Sequence, residues 1–251
     1  MRIVMAACLA VFLASACGCV SNPATGANEL RLISTLEELE MGKRLDAQVR
    51  SQYKAVTGTP QAERAARIGT KLAAVSDRKD VSYQFALIES ADLNAFAAPG
   101  GFIYVTTALE KLAEDDAELG AVIGHEIAHV AARHSVNQVQ RALGYEIVSS
   151  LILGDAKSAD ARQAADIAFD TVVMTGYSRK DESQADELGI KYAARAGFDP
   201  YGMARFFARL EERQQQGVMD PMFEFMMSHP NIAERRQKAQ ALAARYTARK
   251  K

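Results

Sequence analysis

The chain has 251 residues, 49% of them hydrophobic and 24% charged, with 30 Lys and Arg against 31 Asp and Glu for a formal net charge of −1. That length suits one domain, or two small ones, and buries a core without disulfide staples. The balanced charge gives no electrostatic reason to expect a nucleic-acid partner, and the composition is that of a globular protein.

The start of the chain differs from the rest. Arg2 is followed by an uncharged run of small and apolar residues from Ile3 to Val20. A charged start, an apolar middle and a small-residue end read as a secretory signal over residues 1–18, too short and small for a membrane span. Cys17 follows Ala16 and Cys19 follows Gly18. Each has the small preceding residue found where bacterial lipoproteins are cleaved and lipidated; Cys19 is the preferred site, with Cys17 as the alternative. All three cysteines, the third being Cys8, precede residue 20, so none staples the rest of the chain. A lipid on Cys19 would anchor the protein to a membrane surface. Val20, where some lipoproteins carry Asp, leans towards the outer membrane, so a periplasmic, lipid-anchored protein is expected. Residues 19–33 then form a tether, SNPATGANEL reading as loop, and residues 34–251 a single domain.

Ser34 with Glu37 three residues on forms a capping box, followed by Leu36, Leu39, Leu45 and Val49 at helical spacing. A second helix starts at Pro60 and runs to about Asp77. The period then changes. VSYQFALIES alternates, and FIYVT follows the turn-forming Pro99, Gly100 and Gly101. These runs predict a small antiparallel sheet over residues 81–106. Beyond it, helices are expected at about 107–113, 115–134, 136–153, 160–174, 179–196, 200–216 and 231–248. The fold class is therefore α+β, mostly helical, with one small sheet placed early.

The chemistry centres on HEIAH. His125 and His129 are four apart, which puts both rings on one helix face. Two such imidazoles hold one metal ion, and Glu126 beside them reaches water at that ion without ligating it. A catalytic zinc needs a third protein ligand. His134, nine residues past His125, falls on the opposite side of a continuous helix, so a structural role is expected there. Glu182 and Asp186 are again four apart: one could ligate while the other accepts the free N–H of a ligating imidazole. Spacing does not say which, Asp181 and Glu187 compete, and a solvated charged face is the plain alternative. His229, in MSHPN, is either a loop residue or a group that holds an oxyanion, and Arg235 six residues later lies where it could join it.

Taken together, CVSNPATG, NAFAAPGGFIYVTTAL, HEIAHVAARHS, SRKDESQAD and SHPNIAERR, in that order, resemble zinc metallopeptidases of the CAAX prenyl protease type, in their soluble bacterial periplasmic branch. The resemblance implies a gluzincin-type domain with one Zn2+ held by His125, His129 and Glu182. It implies Glu126 as general base, Asp186 behind a ligand, and His229 and Arg235 at the active site. It also implies that the strand of Phe102, Ile103, Tyr104 and Val105 edges the cleft and binds polypeptide substrates through their backbone. The implied activity is endopeptidase cleavage of unfolded or misassembled envelope proteins. The rival is a metal-binding chaperone or binding protein on a protease scaffold, against which the intact Glu126 argues. Membrane-embedded relatives carry several spanning helices, and some soluble ones a helical-repeat domain after the protease; neither is expected here. Part of the segment from Leu143 to Thr175, about residues 154–164, is expected to cover the cleft as a lid.

Overall fold

The computed structural model describes residues 19–31, 33–143, 176–217 and 222–248. The signal segment, Cys17, nearly all of the expected lid and the helix expected at 160–174 lie outside the described residues.

Two short strands, β1 (Cys19–Ser21) and β2 (Asn28–Leu30), pair antiparallel. The Asn22 side chain closes the turn between them by accepting from the backbone N–H of Ala24 and Thr25. The stretch read as loop thus contains a ribbon. Helix α1 (Thr35–Gln52) starts at the expected capping box: Ser34 Oγ accepts from Glu37 N, and Glu37 accepts from Ser34 N at 2.7 Å. Its buried stripe is Glu38, Met41, Gly42, Leu45 and Val49, whereas Leu36 is 70% exposed. The helical period was legible; the face was displaced by a buried glutamate. Helix α2 (Pro60–Val75) has Thr59 as N-cap and buries Ala65, Ile68 and Leu72.

Strands β3 (Ala55–Val56), β4 (Gln84–Ile88), β5 (Ala95–Ala98) and β6 (Phe102–Thr106) make one sheet in the order β3-β4-β6-β5. The hairpin is β5–β6, turned at Pro99–Gly101 with Gly100 and Gly101 at φ 78° and 100°, a conformation glycine adopts freely. The expectation of a wholly antiparallel sheet is corrected: β4 pairs with β6 in parallel, from Gln84↔Phe102 to Ile88↔Thr106. The chain leaves β4, crosses to the far side, and returns through the hairpin into the gap. The edge assignment is corrected with it. Phe102, Ile103, Tyr104 and Val105 form the central strand between β4 and β5, buried throughout. An unbroken run of β-branched and aromatic residues belongs between two partners; the smaller AFAA of β5 takes the edge.

The sheet is covered on both sides. Phe96, Phe102 and Tyr104 pack with Met41, Leu45 and Val49 of α1. Ala95, Ala97, Ile103 and Val105 face Ile123, Ile127 and the rest of the main core. Along β6, alternate residues therefore serve alternate layers. The remaining helices are α3 (Thr107–Leu112), α4 (Asp116–Ala131), α5 (His134–Leu143), α6 (Arg179–Arg195), α7 (Gly202–Gln215), α8 (Phe223–Ser228) and α9 (Ile232–Ala248). Every residue of α4 from Ala117 to Ala131 is buried, so α4 is the central rod. Of these helices, α8 was not foreseen. Among the described residues no helix is long and apolar enough to cross a membrane.

Candidate active site

Asp115 caps α4 by accepting from Ala117 N and Glu118 N. One turn before the helix ends, His125 and His129 lie on one face with their Nε2 atoms converging to 2.9 Å. Helix α6 crosses α4 closely because glycine faces glycine. A Cβ on Gly189 would stand 2.9 Å from His125 N, and one on Gly124 3.2 Å from Gly189 O. Glu182 and Asp186 lie on the same face of α6 as Gly189, so this crossing delivers both carboxylates to the histidines.

They arrive on different sides. Glu182 meets the converging Nε2 atoms, 3.3 Å from His129 and 3.6 Å from His125. Asp186 Oδ1 instead lies 3.0 Å from His125 Nδ1. Spacing had left the two carboxylates interchangeable; geometry separates them. Of the competitors, Glu187 is exposed, and Asp181 turns to His134 and Arg141. The loop after α8 supplies His229, whose Nδ1 is 3.3 Å from His125 Nε2 and 3.2 Å from Glu182. Donor atoms of His125, His129, Glu182 and His229 all lie within 4.8 Å of one another. Arg235, in the first turn of α9, clasps Asp186 at 2.6 and 2.8 Å and reaches Glu182 Oε2 at 2.5 Å.

The electrostatics follow from burial and pairing. Burial opposes the charge on Glu182, yet His229, Arg235 and His125 hold its carboxyl well below the usual range. Asp186 is likewise lowered against its burial, by Arg235 and His125. Burial also works against protonation of His125, but Glu182 and Asp186 outweigh it and lift the ring to about 9. His129 is driven well down, by burial first. Glu126 is 1% exposed, neither of its carboxylate oxygens has a hydrogen-bond partner among the described residues, and burial pushes its pKa up. Lone pairs from two imidazoles and a carboxylate converging on one point call for a cation. Ligands on a tetrahedral zinc at about 2.0–2.1 Å stand about 3.3 Å apart, the scale of the separations here. The donor set, with Glu126 beside it free of hydrogen bonds among the described residues and 3.5 Å from His229 Nε2, therefore fits a zinc ion.

Sequence reasoning missed Gln184, Tyr177 and Ser135, and it placed His134 on the wrong side of the helix. The expectation for His134 rested on a continuous helix, but α4 stops and Arg133 takes φ 59°. That kink turns His134 back, placing its Nδ1 3.0 Å from His129 Nδ1 and its Nε2 2.9 Å from Gln184. Tyr177 stacks on His129 with ring centroids 3.8 Å apart, and its hydroxyl lies 2.9 Å from Ser135 Oγ. Ser135 donates to the Ala97 carbonyl at 2.9 Å, and His229 Nε2 sits 3.4 Å from the Ala95 carbonyl. The carbonyls of β5, the strand that does form the sheet edge here, thus open onto the site. Beside His125 and Glu126, Val122, Met203, Phe206, Phe207 and Phe225 line an apolar pocket of about 10 Å3, space for about one water molecule.

The pattern of peptidase family M48 matches residues 60–243. A beta-barrel assembly-enhancing protease of Escherichia coli K12 is 27% identical over 229 residues, 86% of this chain and 47% of that protein. The protein of the same name from Yersinia pestis is 26% identical over 218 residues, 83% and 44% of the two chains. A mitochondrial metalloendopeptidase of Schizosaccharomyces pombe is 28% identical over 173 residues, 68% and 50%. The chain spans about half the length of these curated relatives. The matched residues run from α2 into α9 and so contain every side chain of the histidine–carboxylate cluster: the chain belongs to peptidase family M48.

Proposed function

We propose that this chain is a zinc-dependent endopeptidase. One observation carries the reading: Glu126 is a buried carboxylate that makes no hydrogen bond among the described residues, with His229 Nε2 3.5 Å from its Oε1, beside the converging donors of His125, His129 and Glu182. His125, His129 and Glu182 would hold one zinc. Asp186 would fix the His125 tautomer from Nδ1, with Arg235 holding both carboxylates in place. The ion, when bound, supplies a Lewis acid that polarises the scissile carbonyl and acidifies water. Glu126 takes the proton from the attacking water and returns it to the leaving amine. His229 stands close enough to supply a fourth donor or to hold the carbonyl oxygen as charge develops.

The substrate would add along the outer edge of β5, in place of the β6 strand first inferred, taking up main-chain positions that Ser135 and His229 now occupy, through hydrogen bonds indifferent to sequence. The apolar pocket beside Glu126 would take a small apolar side chain next to the scissile bond. Envelope proteins that are unfolded or misassembled are the proposed substrates, supported by the beta-barrel assembly-enhancing relatives and by the secretory character of residues 1–18. On this reading the protein is periplasmic, belongs to the soluble branch of CAAX-prenyl-protease-type enzymes, and is tethered by a lipid on Cys19, with the outer membrane as its site. Residues 19–33 lead into one protease domain.

The test compares wild type and Glu126→Gln on an unfolded model protein, with zinc measured in both. Loss of the base should lower cleavage about 10²–10⁴-fold while zinc stays bound. Equal cleavage by the two would overturn the mechanism. If neither cuts but both retain unfolded chains, a binding protein on a protease scaffold is the better reading.

A further inference from the structure

A cavity of about 390 Å3 lies on the far side of α4, between the N-terminal ribbon and the C-terminal end of that helix. Arg31, Arg78, Lys79 and Arg133 line it, with Asp77, Asp80 and residues 20–23 of the ribbon. The cations are not balanced. Arg78 and Arg133, 2% and 4% exposed, share the single carboxylate of Glu38. Arg78 grips both Glu38 oxygens at 2.8 Å, while Arg133 Nη1 stands 2.7 Å from one of them without an aligned hydrogen bond. Asp80 is held by Arg78 and by the Thr35 hydroxyl. Asp77 is held from outside by Lys191 and Arg195. Arg31 and Lys79 have no carboxylate partner among the described residues. Four cations line the cavity against Asp77 and Asp80, with Glu38 behind them, and Asp77 is already paired from outside. Burial depresses the Arg133 pKa; Glu38 works against that, and Arg78 and Arg31 add to it.

A buried surplus of guanidinium charge is costly unless an anion meets it, and planar guanidinium forks match tetrahedral oxyanions. We propose that this cavity binds a phosphate-type oxyanion, supplied either as free phosphate or as the headgroup of an anionic lipid. The ribbon that walls the cavity begins at Cys19, so a headgroup is the natural source if the chain is tethered there. Arg133 precedes His134 at the kink that ends α4, which puts the cavity one residue from a side chain in contact with His129.

The test uses the full chain and two probes: inorganic phosphate, followed by calorimetric titration and Tm, and vesicles of phosphatidylcholine with or without phosphatidylglycerol. Arg31→Gln combined with Lys79→Gln removes the two cations that have no carboxylate partner and should leave the fold intact. Lys111→Gln, an exposed cation elsewhere, is the control. Phosphate should bind wild type and raise its Tm, and the double variant should lose about tenfold or more in affinity. A gain in vesicle binding with phosphatidylglycerol that the double variant lacks identifies a headgroup. Phosphate binding with no such gain identifies the free anion. The proposal falls if neither probe binds, if the double variant binds as wild type does, or if the Lys111 variant loses as much.

Discussion

At the scale of single residues, the side chains behind the metal donors matter as much as the donors. Asp186 touches His125 only at Nδ1, the nitrogen that faces away from the cluster, and Arg235 holds Asp186 with two hydrogen bonds. Asp186→Asn keeps the shape but weakens the acceptor; zinc affinity should fall about 10–100-fold, measured by competition with a chelator, with the fold retained. Asp77 makes a different kind of contribution. Burial opposes its ionisation, but Lys191, Arg195 and Tyr192 outweigh it and lower its pKa. A group depressed on folding stabilises above its unfolded pKa, and the gain disappears as pH falls through the folded value. Asp77→Asn should therefore cost about 1 kcal/mol near neutral pH and almost nothing once the pH is well below the lowered folded value. Thermal melts of both proteins across that range decide it. An equal deficit at both ends would show that the ion pair is not the source.

At the scale of elements, the site depends on how closely two helices approach. The α4–α6 crossing has no side chain at its centre; Gly124 and Gly189 let the backbones meet. Gly189→Ala would drive a methyl to 2.9 Å from His125 N, a contact that only separation of the helices relieves. Overpacking of this kind costs about 1–3 kcal/mol. Because Glu182 rides on the same helix, zinc content should fall along with Tm. A variant that keeps full zinc and activity would mean the crossing does not set the carboxylate position. The sheet shows how much of an element is legible locally. The turn at Pro99–Gly101 and the strand after it were readable from residue types, but the short AFAA strand before it and the parallel insertion of β6 beside β4 were not. Nothing in FIYVT specifies which strand will lie beside it. Its unbroken apolar run was nonetheless a usable signal for a central strand, and it weighs against the edge role that resemblance suggested.

At the scale of the whole molecule, one buried carboxylate ties the layers together. Glu38 of α1 receives Arg78 from the loop after α2, Arg133 from the end of α4 and the backbone N–H of Gly100 from the hairpin. Glu38→Gln would leave two buried guanidinium groups facing each other with only the half-exposed Asp80, on Arg78, as counter-charge. Breaking such a cluster costs about 3–5 kcal/mol, readable as a lowered urea midpoint; a change under about 1 kcal/mol would mean that solvent or an anion already balances the pair. The same comparison separates what the chain carries locally from what the fold decides. The capping box at Ser34, the helical pairing of His125 with His129 and that of Glu182 with Asp186 all lie within one or two helical turns. Their geometry follows from the 3.6-residue period, and sequence alone determined them. Which carboxylate faces the Nε2 atoms, the return of His134 through a kink at Arg133, the stacking of Tyr177 and the buried state of Glu38 depend on partners from about 5 to 100 residues away. Only the tertiary structure decided these, because the steric fit of two glycines and the sharing of one buried charge are properties of surfaces that meet, and neither surface announces its partner in its own sequence.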